Sequence, residues 1–135
     1  MIKRLLSIKP YSIDLALLIL RLGTGCFMIT HGWPKVINFN KRLSTFSDPI
    51  GLGSEVSLTL IVFAEFFCSL LLILGLYTRL ALIPLIFAMC VVAFIVHGDD
   101  PFGSKEKALL FLAAYMALFF TGPGKFSIDG RLIKS

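Results

Sequence analysis

Hydrophobic residues in this chain fall into four long runs, each bounded by charged, glycine or proline residues. A helix needs about 20 apolar residues to cross the hydrocarbon core of a bilayer. The runs reach or approach this length, so the pattern predicts an all-α polytopic membrane protein built as a bundle of four transmembrane helices. The predicted spans cover residues 12–33, 55–76, 80–96 and 108–122.

Composition strengthens this prediction. Hydrophobic residues make up 57% of the chain and charged residues only 16%, and the mean hydropathy is +0.90. Soluble globular domains have fewer apolar and more charged residues. A length of 135 residues suits one domain, and four spans leave little chain for a soluble unit. We therefore expect a single membrane domain over residues 1–135, with the lipid bilayer as its surroundings.

The longest connection lies between the first two predicted spans. Val36, Phe39, Leu43, Phe46 and Ile50 recur there at helical spacing, with polar residues mostly on the other side of the wheel. This spacing is typical of an amphipathic helix that lies in the membrane interface. The sequence therefore predicts such a helix between spans one and two.

The formal charge of +5 reflects helix anchoring rather than nucleic-acid binding, because the basic residues cluster at the ends of the apolar runs. Seven lie on the side of the termini and five on the other side. Cytoplasmic flanks carry the excess of Lys and Arg, so the count favours cytoplasmic termini. The seven are Lys3, Arg4, Lys9, Arg79, Lys125, Arg131 and Lys134; the five are Lys35, Lys41, Arg42, Lys105 and Lys107.

Two opposite charges interrupt the apolar runs. Arg21 lies about 14 Å from the inner end of the first span, and Glu65 about 15 Å from the outer end of the second. A lone charge at this depth costs at least about 2.5–3.5 kcal/mol, so we expect an Arg21–Glu65 ion pair, with Tyr115 as a donor at similar depth. Either the three form a ligand pocket, or the ion pair only locks two helices together.

His31 and His97 fall near the outer ends of the first and third spans, and Asp99 and Asp100 follow His97. Imidazole titrates near neutral pH, so the two histidines are candidates for a proton relay. The alternative is that each only caps a helix end. Metal binding is not predicted, because no spacing typical of metal ligands occurs around either histidine.

Three segments resemble the DoxX family of small four-helix membrane proteins. These are "LRLGTG" with "HGWPK" (residues 20–25 and 31–35), "AEFFCSLLLILGLYTR" (64–79) and "GPGKFSIDG" (122–130). They occur in the family's order and extend over most of the chain. The matching positions include Arg21, His31, Lys35, Glu65, Gly75 and Arg79.

The resemblance implies an integral component of a membrane redox system in a bacterial inner membrane, with a redox enzyme as its partner. The chain has no cofactor motif of its own, and a quinone is the ligand that a pocket at Arg21, Glu65 and Tyr115 would suit. Two alternatives remain open: a non-catalytic accessory or assembly protein, and a pathway for a small solute or protons. Whether the protein is an enzyme also stays open; if it is, it is a membrane oxidoreductase subunit.

Overall fold

The computed structural model describes residues 1–133, and this range is helical without any strand. Three helices are long and apolar enough to cross a membrane: α2 (Ile13–Ile37), α4 (Ser54–Leu74) and α5 (Thr78–Val96). A fourth long helix, α6 (Phe102–Thr121), carries three charged residues in its first two turns, which shortens its apolar part. The all-α prediction is confirmed with three candidate spans, and a crossing by α6 stays a prediction. Lys134, counted above among the basic residues on the side of the termini, lies outside the described residues.

Three short helices complete the described chain: α1 (Ile2–Leu5), α3 (Phe39–Arg42) and α7 (Ile128–Leu132). Helix α2 runs through Pro34 to Ile37, so the segment predicted as an amphipathic helix begins inside the first span. What remains of it is the single turn of α3, followed by an irregular loop over residues 43–53. Its location in the membrane interface stays a prediction.

The four long helices form an up-and-down ring in which α2 packs against α4, α4 against α5, α5 against α6, and α6 against α2. Leu72, Leu82, Leu85 and Leu118 are fully buried between them. Large apolar side chains also cover the outer surface of the ring, as is expected for helices that face lipid.

Helices α4 and α5 each contain a π-helical segment, at Phe63–Cys68 and Val92–Val96 respectively. Such segments are rare and frequently occur at functional sites. Glu65 lies inside the first of them, so the backbone departs from regular α-helix where the sequence places a buried carboxylate.

We call the end of the bundle where α2 begins and α6 ends the inner end, and the opposite end the outer end. The inner end is closed by the chain that follows α6. Asp129 accepts hydrogen bonds from the backbone N–H groups of Tyr77 and Thr78 at 2.9 Å each and from the Thr78 hydroxyl at 2.8 Å. Burial alone would raise the pKa of Asp129, but these bonds lower it below its ordinary value. The backbone N–H of Asp129 also donates to the Gly75 carbonyl, at the residue where α4 ends with φ +67°. The tail is thereby fixed to the turn between α4 and α5.

Candidate functional site

Arg21 is 2% exposed and is bound by backbone carbonyls rather than by a carboxylate. Its Nη1 donates to Pro123 O at 2.7 Å, its Nη2 to Phe126 O at 2.6 Å, and its Nε to Ile73 O at 3.4 Å. We call this arrangement the inner clamp, because it ties α2 and the end of α4 to the C-terminal segment. The predicted Arg21–Glu65 ion pair is therefore wrong.

The error lies in the register of α2 against α4. Gly32 packs directly on the backbone of Glu65, where a Cβ added to the glycine would lie 2.8 Å from the Glu65 carbonyl carbon. Arg21 precedes Gly32 by eleven residues, which is about 16 Å along a helix. Because α2 continues beyond Trp33 to Ile37, Arg21 lies nearer the inner end of the bundle than the apolar runs indicated.

Glu65 instead pairs with Lys35. The Lys35 Nζ lies 2.5 Å from Glu65 Oε2 and 3.1 Å from the His31 carbonyl oxygen. The side chain of Glu65 is 6% exposed and that of Lys35 is 19% exposed. A lysine ammonium has three N–H donors, and these two bonds use two of them. The third N–H makes no hydrogen bond within residues 1–133.

This ion pair lies on the wall of a cavity of about 560 Å³ inside the bundle. Ligand pockets in proteins have volumes of roughly 300–1,000 Å³. Residues of α2, α4, α5 and α6 line it, and apolar side chains form most of the wall. Its polar lining residues are His31, Lys35, Ser47, Ser57, Glu65, His97, Ser104 and Lys107.

The loop of residues 43–53, which we call the cover loop, contributes four of the lining residues: Phe46, Ser47, Pro49 and Ile50. Asp48 holds this loop on the start of α4. Its carboxylate accepts bonds from Gly53 N, Leu52 N and Ser57 Oγ, each at 2.9 Å. The bond from Gly53, together with those from Ser57 and Leu52, lowers the pKa of Asp48 below its ordinary value.

Of the residues predicted to form the site, His31, Glu65 and His97 share this cavity, whereas Arg21 and Tyr115 do not line it. His97 Nδ1 lies 2.7 Å from Asp100 Oδ2 at the exposed end of α5, and the His31 ring packs edge-on against Phe111. Two residues on one cavity wall do not establish a relay, so proton transfer by the histidines stays a prediction.

Tyr115 belongs to α6 and is buried in the core of the bundle, with its ring 5.8 Å from that of Phe111. Its hydroxyl and that of Ser69 are buried without a hydrogen-bond partner among the described residues. The predicted donation from Tyr115 to Glu65 is therefore not made. Within residues 1–133, no group of three or more His, Cys, Asp or Glu side chains could hold a metal ion.

Lys35 matched the family pattern but was assigned no role in the site from the sequence. It appeared to be an interfacial anchor because Pro34 suggested that the helix had already ended. The available signal was its spacing from His31: four residues, or one helical turn, places both on one face if the helix continues. Asp48 gave a weaker signal, as an acidic residue shortly before a predicted helix start.

Comparisons with known proteins agree with this architecture. The family described as DoxX matches residues 16–98, a range that contains most of α2 and all of α4 and α5, and with them Lys35 and Glu65. The "Inner membrane protein YqjF" of Escherichia coli (strain K12) is 26% identical over 127 residues, which cover 90% of this chain and 95% of that protein. No solved structure matches the chain.

Proposed function

Because the chain belongs to the DoxX family of membrane proteins, we propose that it is an inner-membrane component of a redox system that binds a quinone or a similar amphiphile. The observation that carries this proposal is the Lys35–Glu65 ion pair on the wall of an otherwise largely apolar cavity. The inner-membrane location follows the relative YqjF, whose name states it.

The chemistry of the lining suits such a ligand. A quinone supplies two-electron, two-proton redox chemistry when it is bound, and its ring carbonyls accept hydrogen bonds. The unused N–H of Lys35 is a charge-assisted donor for one carbonyl, and the Phe and Val side chains of α5 suit an apolar tail. Glu65 accepts a hydrogen bond from Lys35 and so holds the ammonium group in place for this contact.

The position of the cavity weighs against the alternative of a pathway through the bundle. Its lining includes His97 and Ser104 at the outer ends of α5 and α6, while the hydrogen bonds of the inner clamp lie at the opposite end. A ligand therefore enters from the outer side or from the bilayer. Cytoplasmic termini are part of this proposal, as is a membrane crossing by α6.

Trp33 provides an intrinsic reporter for the test, because it is the only tryptophan and its ring lies 5.8 Å from that of Phe66, next to Glu65. We would titrate protein in nanodiscs with a short-chain benzoquinone and follow tryptophan quenching, alongside native mass spectrometry of the purified protein. A bound site gives saturable quenching, whereas quinone dissolved in lipid gives a linear response.

Two variants, one in the proposed site and one as a control, show whether binding depends on Lys35. Lys35→Met removes the proposed donor and should weaken binding by about tenfold or more, which is the contribution of one charge-assisted hydrogen bond. Arg79→Met removes an exposed cation at the inner end of the bundle and should leave binding unchanged. Linear quenching in the unmodified protein, or co-purification with another polypeptide and no small molecule, would favour the accessory-protein alternative.

A further inference from the structure

Two buried hydroxyl groups lie on α4 and α6, each one helical turn along its helix from a residue that lines the cavity. Ser69 follows Glu65 by four residues on α4, and Tyr115 follows Phe111 by four residues on α6. Glu65 and Phe111 both line the cavity, while Ser69 and Tyr115 do not. Since α4 and α6 both run from the outer to the inner end, each hydroxyl lies about one helical turn inward of the lining residue on its own helix.

Both side chains point into the bundle. Ser69 and Tyr115 are each 0% exposed, and α4 and α6 are opposite, rather than adjacent, helices of the ring. Each side chain therefore lies inside the ring rather than on its lipid-facing surface. On the α2 side, a Cβ added to Gly25 would lie 3.3 Å from the Ser69 carbonyl oxygen, which places α2 close beside this layer.

Neither hydroxyl has a partner among residues 1–133. Buried polar atoms are almost always hydrogen-bonded, to protein or to ordered water. A buried water molecule makes about three hydrogen bonds to such groups, and each hydroxyl can both donate and accept. We propose that Ser69 and Tyr115 together hold one buried water molecule at the centre of the bundle, one turn inward of Glu65.

This water site is independent of the ligand proposed for the cavity, because its two hydroxyls lie outside the cavity wall. It extends the polar layer that begins with Lys35 and Glu65 toward the bundle centre. The unpartnered hydroxyls then have a physical role as ligands of a structural water, rather than being unsatisfied groups in the core.

A double-mutant cycle tests the proposal. Tyr115→Phe keeps the ring that packs on Phe111, and Ser69→Ala removes only the hydroxyl. If one water bridges the pair, each variant should lower Tm by about 2–5 °C, and the double variant should lower it no further than the larger single change. Tyr77→Phe, at an exposed tyrosine, is the matched control and should leave Tm unchanged.

The opposite results overturn the proposal. A dry site contains two unsatisfied hydroxyls, so removing either should leave Tm unchanged or raise it. Two decreases that simply add would exclude a shared water. If a variant does not fold, hydroxyl-radical footprinting of the unmodified protein decides: Tyr115 should be oxidised despite its burial if water lies next to it, and should stay unmodified if the site is dry.

Discussion

Replacing Arg21 with methionine tests the reassigned contacts most directly. Arg21 makes two short bonds to carbonyl oxygens, at 2.7 and 2.6 Å, and one longer bond at 3.4 Å. Hydrogen bonds to a charged group contribute about 1.5–3 kcal/mol each. Methionine keeps the apolar stem and avoids the cost of burying a cation, which offsets part of the loss. We expect the free energy of unfolding to fall by about 2–4 kcal/mol.

The matched control is Arg79→Met. Arg79 also donates to backbone carbonyls at the inner end of the bundle, Phe119 O at 2.9 Å and Phe120 O at 3.5 Å, but it is exposed. Exposed substitutions usually change stability by no more than about 0.5 kcal/mol. Both variants would be unfolded in mixed micelles of increasing SDS fraction, with Trp33 fluorescence as the signal.

The same assay separates the two possible partners of Glu65. If Lys35 is the partner, the cycle of Lys35→Met with Glu65→Gln should give a coupling energy of about 1–3 kcal/mol. The cycle of Arg21→Met with Glu65→Gln should be additive within about 0.5 kcal/mol. Arg21 lies about 16 Å along α2 from Gly32, the residue that contacts the Glu65 backbone. Recovery of stability when Glu65→Gln is added to Arg21→Met would refute the inner clamp.

Three further predictions concern the helix contact, the cover loop and the topology. Gly32→Ala places a methyl group 2.8 Å from the Glu65 backbone and should destabilise by about 1–3 kcal/mol, whereas Gly23→Ala, with nothing within 4 Å, should be neutral or slightly stabilising in the same unfolding assay. The pKa of Asp48 is lowered in the folded protein, so its contribution to stability is present above about pH 4 and is lost as the pH falls through the folded-state pKa. Hydrogen exchange of the cover loop should therefore become faster in that acid range. Asp48→Asn should abolish this pH dependence. In a cysteine-free background, Ser44→Cys should react with an impermeant maleimide from outside intact cells and Ser7→Cys should not, and the reverse would contradict cytoplasmic termini.

The helices could largely be predicted from the apolar runs. The second and third predicted spans agree with α4 and α5 to within about two residues at each end, because glycine and charged residues bound these runs. The end of α2 could not be predicted in this way. Pro34 usually signals a helix end, but the helix continues over one more turn, and Asn38 N donates to the Pro34 carbonyl at 3.2 Å.

The partner of Glu65 could not be predicted from depth alone. Hydropathy places a residue along its own helix, but the register between two helices depends on which small residues let their backbones approach. Here Gly32 is that residue, and it brings Glu65 level with the last turns of α2. A charge in the membrane needs a partner, and both Glu65 and Arg21 have one. Glu65 pairs with Lys35, and Arg21 donates to backbone carbonyls.

These contacts give the two ends of the bundle different roles. At the inner end, Arg21 and Asp129 connect α2, the turn after α4 and the C-terminal segment through short hydrogen bonds. Opening a route there would break both short bonds of Arg21, at a cost of about 3 kcal/mol or more. A state of that energy is populated below about 1%. At the outer end, the cover loop is held to α4 through the exposed carboxylate of Asp48, so movement is easier at this end. Access to the ion pair in the cavity is therefore expected from the outer side, and Arg21 maintains that asymmetry although it does not line the cavity.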